Sequence, residues 1–326
     1  MTSAARAERK TRHTQSRSRH ESEACFVLLY IDMCSNINRE PAPAVRVAIQ
    51  GEEGCYHEIA ARQYFAGREV QVVPCQSFPD LFAALAADPG LMGIMAIENT
   101  IAGNLLPNHE LLRLSQRRVV GEHRLHISHV LCALPGQALA DIREVDSHPI
   151  ALRQCEAYLE SLAGVKLVEA DDTAGAARYI RDHGLAGHAA VCSEYAARLY
   201  GMDILARAIE TNKRNFTRFL VLEDKFADPD VDRREVNKAS LDFCVHHSQG
   251  SLTKVLTILS FYGLNLTKIQ SMPIMGREWE YRFFVDLTFD DYIVYHQAIE
   301  AVRPFTSDMQ VLGEYVESGE SHDAVV

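Results

Sequence analysis

Apolar and polar positions follow two textures along this chain. From residue 45 to about 223, short apolar runs alternate with amphipathic stretches. The run 45–50 reads as a buried strand. A glycine turn over 51–57 leads into a helical pattern over 58–65. Residues 70–74 are strand-like, 78–85 are helical with Leu81, Phe82 and Leu85 on one face, and 93–97 read as another buried strand. The long strand-rich segment 119–134 suits a crossover into a second lobe. There, strand patterns at 145–149, 166–169 and 189–192 are separated by helical patterns, and 204–209 leads back to the apolar run 216–222. Strands alternating with helices predict an α/β fold with mostly parallel sheets, arranged as two lobes around a cleft.

After Leu222 the texture changes. Residues 224–236 are charged, contain Pro229 and read as a linker. Ala239, Leu241, Phe243 and Val245 then alternate as in a half-buried strand, and Leu252, Val255, Leu256, Leu259 and Tyr262 form one face of a helix. A strand after Gly263, a strand alternating through Trp279, Tyr281, Phe283, Val285 and Leu287, a helix over 293–302 and a strand over 309–312 complete a βαββαβ, ferredoxin-like unit over 237–316. Both helices are expected on one face of its sheet, with the other face left to pair with a partner. Residues 1–44, whose early basic residues are interleaved with Ser, Thr and Gln, are expected to be a disordered extension, and 317–326 a disordered tail.

Composition narrows the function. A net charge of −11 argues against a general nucleic-acid binder, although local charge can still hold a small anion. The eight cysteines include no C-x-x-C pair and no zinc-type spacing, which fits reduced thiols in a cytoplasmic protein. No apolar run reaches membrane-spanning length. Neither a Gly-Lys-Ser/Thr nor a G-x-G-x-x-G signature follows the first glycine turn, so no dinucleotide is indicated, and nothing calls for a metal or an organic cofactor.

The candidate chemistry lies at strand ends, where α/β sheets bind ligands. Residues 212–222 run from a polar, cationic start into a strand. Lys213, Arg214 and Arg218 are candidates to meet an anion, and Thr217 to donate a hydrogen bond to a leaving oxygen; a solvated turn leading into a strand is the competing reading. Glu98, Asn99 and Thr100 end another strand, with helix capping as the alternative. Ser147 and His148 precede Pro149 at a helix start, which explains a capping serine but leaves the histidine unexplained. Gly54 and Cys55 lie in the first glycine turn, where backbone N–H groups could hold an anion.

In this order the segments resemble prephenate dehydratase with a C-terminal ACT domain, over about residues 45–315. The resemblance is carried by Gly51, Gly54, Tyr56 and Ala60-Ala61, by Ile97-Glu98-Asn99-Thr100 with Gly103, and by Ser147-His148-Pro149 with Gln154-Cys155. It continues through Asn215-Phe216-Thr217-Arg218-Phe219, Gly250-Ser251-Leu252 and 264–269. It implies a two-lobed body like type II periplasmic binding proteins. It also implies conversion of prephenate to phenylpyruvate, with Thr217 assisting departure of the hydroxyl and Arg218 forking a carboxylate. Asn99, Thr100, Ser147 and Gln154 would supply neutral polar contacts, Glu98 and His148 would orient, with acid/base roles as the alternative, Phe219 would wall the ring or pack in the core, and Gly54 and Cys55 would sit at the substrate. The ACT unit would bind phenylalanine through Gly250, Ser251 and Leu252 and through Gln270, Ser271, Met272 and Pro273, in a homodimer or homotetramer. Here the family's Glu-Ser-Arg-Pro reads Gln270-Ser271-Met272-Pro273, losing both charged members, and Cys55 and His57 stand where serines are common. Arogenate dehydratase is the alternative enzyme, and a non-catalytic amino-acid sensor is the alternative of another class.

Overall fold

The computed structural model describes residues 43–228, 232–319 and 321–323. The expected extension at 1–44 falls almost wholly outside them. In the first lobe, β1 (Val45–Gln50), α1 (Tyr56–Tyr64), β2 (Val70–Cys75), α2 (Phe78–Ala87) and β3 (Met92–Asn99) alternate as expected. A short β4 (Gly103–Asn104), α3 (Leu106–Leu114) and β5 (Arg117–His126) follow. The second lobe holds β6 (Val130–Ala133), β7 (Glu144–Ser147), α4 (Pro149–Gln154), α5 (Glu156–Glu160) and β8 (Lys166–Glu169). It continues with α6 (Thr173–His183), β9 (His188–Cys192), α7 (Glu194–Leu199) and β10 (Asp203–Arg207). The chain returns to the first lobe through β11 (Phe216–Asp224).

The sheets are mixed rather than mostly parallel. β1 pairs parallel with β2 and β3, but β11 lies antiparallel between β3 and β5. In the second lobe, ordered β10-β6-β9-β7-β8, the strands around β7 are parallel and those around β6 antiparallel. The returning strand enters between two others, and no crossover helix turns it parallel.

The C-terminal unit is β12 (Lys238–Cys244), α8 (Ser251–Phe261), β13 (Asn265–Pro273), β14 (Tyr281–Thr288), α9 (Tyr292–Val302) and β15 (Ser307–Tyr315). Its strand order β13-β14-β12-β15, antiparallel throughout, is ferredoxin-like. One face buries Leu241, Phe243, Val285 and Leu287 with Val255, Leu259, Tyr295 and Ile299 of the helices. The other face is not left open for a partner as expected. Phe284, Leu312 and Tyr315 are buried in one cluster with Leu112, Val119, Leu220 and Leu222 of the first lobe, and Met272 packs against it.

β15 also joins β5, through the register pair Gly313 with Val119, so a single sheet of eleven strands runs through both units. A Cβ at Gly313 would lie 2.2 Å from the Val119 carbonyl oxygen, so this backbone approach requires glycine. The tail expected to be disordered contributes β16 (Ser321–Asp323), which pairs parallel with β5. Residues 317–326 therefore do not form a wholly unstructured tail. The unpaired backbone edge that β5 leaves beyond Gly313 accounts for this pairing.

Candidate active site

A cavity of about 410 Å³ opens between the two lobes. Its walls come from strand ends and helix starts, because side chains there project beyond the sheets. Thr217 and Phe219 of β11 line it, as do Asn99 at the end of β3 and Ala102, Asn104 and Leu105 just beyond. The second lobe contributes His148, Gln154, Asp171, Asp172 and Thr173. Two helices of nine and eleven residues begin at this wall, α1 after Cys55 and α6 after Asp172. Their starts carry partial positive charge. Among the described residues, the lining includes no lysine or arginine.

Thr217 is held by a connected set of amides. The Asn99 Oδ1 accepts the N–H groups of Ile101 and Ala102 at 2.9 and 2.8 Å. This fixes which way the amide faces, so Asn99 Nδ2 must donate; it reaches Thr217 Oγ1 at 2.9 Å and Asn215 Oδ1 at 2.8 Å. Thr217 Oγ1 is thus an acceptor toward Asn99, and its own proton is directed elsewhere. Gln154 Oε1 accepts from Asn215 Nδ2 at 3.0 Å and from His129 Nε2 at 2.9 Å. Since a carbonyl oxygen only accepts, His129 carries its proton on Nε2, and its Nδ1 meets the Tyr56 hydroxyl at 2.9 Å. Burial lowers the His129 pKa, while Gln154 and Glu210 oppose that shift. Asn215, Gln154 and His129 are all buried.

His57 also lines the cavity, edge-on to Phe78 and Phe219. Its Nε2 accepts the Ala96 N–H at 3.3 Å, and burial lowers its pKa to about 3. A neutral imidazole of this kind is a wall and an acceptor, not an acid near neutral pH. His109, on α3 against Phe284, is lowered to about 4, first by burial and then by Lys268. Both groups bind protons when unfolded, near pH 6.5, and resist them when folded. Stability is therefore full above about pH 6.5 and falls as pH drops, by about 1.4 kcal/mol per unit for each histidine. Urea unfolding from about pH 7 to about pH 5 will show this decline, and His57→Gln will flatten it.

Several expected site residues stand elsewhere. Arg218 does not line this cavity; with Glu98, Asn99, Thr100 and Thr217 it lines an adjoining hollow of about 500 Å³. Successive residues of a strand face opposite sides, so with Thr217 and Phe219 turned to the cavity Arg218 turns away. Its guanidinium is filled by Glu98 at 2.6 Å, Glu122 at 2.9 Å and Asp286 at 2.6 Å. Burial opposes this charge, but Asp286 and Glu98 outweigh it and raise the pKa well above the usual value. The guanidinium expected to fork a substrate carboxylate is held here by three internal carboxylates. Glu98 is one of them, and Thr100 bridges to the strand end by donating to the Arg214 carbonyl and accepting from Phe216 N–H. Ser147 is fully buried and donates to the Val191 carbonyl at 2.6 Å, holding β7 to β9 away from the cavity lining.

Cys55 lines the cavity, with its thiol pKa pushed well up by burial. Gly54 shapes the turn behind it at φ +90°, its N–H donating to Glu58 Oε2 at 2.6 Å. His148 Nδ1 caps α4 by accepting the Ile150 N–H. That capping bond accounts for the histidine the sequence left unexplained.

Sequence reasoning gave no role to His129, Asp171, Asp172 or Asn215 in the site. Asn215 lay inside a recognised motif. His129 lies between β5 and β6, where no periodicity marks it. Among the described residues no group of three or more His, Cys, Asp or Glu is placed to hold a metal, and no helix is long and apolar enough to cross a membrane.

Residues 47–227, which build both lobes and every wall of this cavity, match the family model described as prephenate dehydratase. This chain belongs to the prephenate dehydratase family. Arogenate dehydratase 1 of Petunia hybrida is 37% identical over 295 residues, covering 84% of this chain and 68% of that protein. The bifunctional chorismate mutase/prephenate dehydratase of Aquifex aeolicus is 32% identical, with 87% and 76% covered. Among solved structures, prephenate dehydratase of Arthrobacter aurescens in complex with L-Phe superposes with a TM-score of 0.73 at 24% identity, covering 83% of this chain and 90% of that one. GqqA, described as a novel type of quorum quenching acylase, superposes at 0.75 with 32% identity, covering 84% and 98%. The family places the chain among the prephenate/arogenate dehydratases of aromatic amino acid biosynthesis.

Proposed function

We propose that this dehydratase converts prephenate to phenylpyruvate. The C–CO₂⁻ bond breaks, its electron pair enters the ring, and the ring hydroxyl departs. One proton must reach that oxygen so that it leaves as water, and the ring becomes aromatic. The observation that carries this reading is the Thr217 hydroxyl, which accepts from Asn99 Nδ2 at 2.9 Å and so has its own proton to offer at the cavity wall. Because threonine is a very weak acid, the transfer draws on a hydrogen-bonded relay. The cavity's lack of cationic side chains suits loss of the ring carboxylate, since no ion pair holds its charge in place. The start of α1, which no side chain caps, offers the substrate's other carboxylate backbone N–H groups and a favourable dipole.

A second reading, arogenate dehydratase, is favoured by Asp171 and Asp172 in the cavity lining. Arogenate carries an ammonium where prephenate has a keto group, and a carboxylate there would pair with it. Acyl transfer is less well supported. Ser147 is buried and bonded to a carbonyl, and among the described cavity residues no serine or cysteine is hydrogen-bonded to a histidine.

The C-terminal unit is proposed to be an ACT domain that senses phenylalanine. Gly250, Ser251 and Leu252 line a hollow of about 210 Å³ with Trp279 and Tyr281, but Gln270, Ser271, Met272 and Pro273 do not line it. An effector site using both segments would need a second copy, consistent with a homodimer or homotetramer.

The deciding experiment measures kcat/KM for phenylpyruvate formation from prephenate and for phenylalanine formation from arogenate, each with and without added phenylalanine. Turnover of prephenate at least as efficient as that of arogenate supports the first reading, and a clear preference for arogenate supports the second. Failure on both substrates removes the dehydratase assignment and leaves the non-catalytic sensor.

A further inference from the structure

β3 and β11 are antiparallel neighbours in which Asn99 pairs with Thr217 and Glu98 with Arg218. Asn99 and Thr217 meet at the cavity, while Glu98 and Arg218 bond on the far side of the same strands. The C-terminal unit grips that far side. Lys268 Nζ of β13 lies 2.8 Å from Glu98 Oε2, and Asp286 of β14 holds Arg218 at 2.6 Å. Two residues along β13 from Lys268, Gln270 Oε1 accepts from Asn104 Nδ2 at 2.7 Å. Asn104 itself lines the cavity. Arg218, Lys268 and Asp286 each keep more than nine-tenths of their side chains buried. Buried charges of this kind keep one geometry, because any displacement exposes an unpaired charge to a poorly solvated interior.

We propose that Lys268 is a positioning residue for the dehydration step. It acts through the Glu98–Arg218 pair to fix Asn99 and Thr217 against the substrate. The C-terminal unit is then a working part of the active site. Any event that moves β13 also moves the hydroxyl that assists the leaving group. This explains why Gln270 and Met272 stand in the second effector segment: both sit on the β13 face that rests on the first lobe, one bonded to Asn104 and the other packed in the shared apolar cluster.

The inference rests on the dehydratase reading, so its test carries one readout that needs no turnover. Lys268→Gln removes the charge and keeps a polar head, and Lys268→Arg restores the charge. On the better substrate, Lys268→Gln is expected to lower kcat by about tenfold with KM within about threefold, since sub-ångström misplacement acts on the chemical step. Lys268→Arg is expected to recover most of the loss. Deuterium exchange should rise in Lys268→Gln over 96–101 and 215–219 and stay unchanged over β1 and β2. Wild-type kcat in a folded Lys268→Gln overturns the proposal. So does a loss matched by the unfolded fraction, or exchange that is unchanged or rises uniformly. If the wild type turns over neither substrate, the dehydratase reading fails, and the exchange pattern alone decides whether Lys268 positions these strands.

Discussion

Thr217→Val will lower kcat by about 10²–10³-fold and leave KM close to its wild-type value. Valine matches threonine in shape, so at this buried position the variant removes the hydroxyl and little volume. The hydroxyl is needed when negative charge develops on the departing oxygen, and a donor aimed at that charge acts on the transition state more than on binding. Asn99 Nδ2 loses one acceptor in the variant but keeps Asn215 Oδ1, so the amide stays oriented. Thr217→Ser keeps the donor and should retain kcat within about tenfold. Steady-state rates on prephenate and arogenate check both variants. A Thr217→Val enzyme with wild-type kcat would remove Thr217 from the chemistry.

Arg218→Met tests whether this guanidinium binds substrate or structure. The expected outcome is a loss of about 3–5 kcal/mol of stability, because removing one member of a buried ionic network strands its partners. Glu98, Glu122 and Asp286 all lose their contact with Arg218; Lys268 still faces Glu98 and Lys238 still faces Glu122, whereas Asp286 keeps only the Ser240 hydroxyl. Urea unfolding of wild type and variant gives the difference. In the folded fraction KM should stay near wild type, since Arg218 turns away from the cavity. A variant with intact stability and a strongly raised KM would restore the carboxylate fork.

Much of this architecture was legible in the sequence. The alternation of apolar positions marked strands and helices close to where they form, and the change of texture after Leu222 marked the βαββαβ unit. Local rules were enough, because 3.6-residue and two-residue periods are set by backbone geometry alone. The same period of two also bears on Arg218. Thr217 and Arg218 are adjacent in a strand, so Thr217 lines the cavity between the lobes while the Arg218 guanidinium meets Glu98, Glu122 and Asp286.

What only the tertiary structure decided are meetings between segments far apart in the chain. His129 joins the Thr217 network through Gln154 and Asn215, which lie 25 and 86 positions further along. Lys268 meets Glu98 across 170 positions. Gly313 reads as an ordinary strand glycine until Val119 is laid against it. The fully buried Ser147 looked like a site residue until Val191 took its hydroxyl proton. Sequence by itself determined the element types, their order and the family. Which face each side chain presents to which partner was decided by packing, because long-range hydrogen bonds and ion pairs depend on the register of strands with no local period in common.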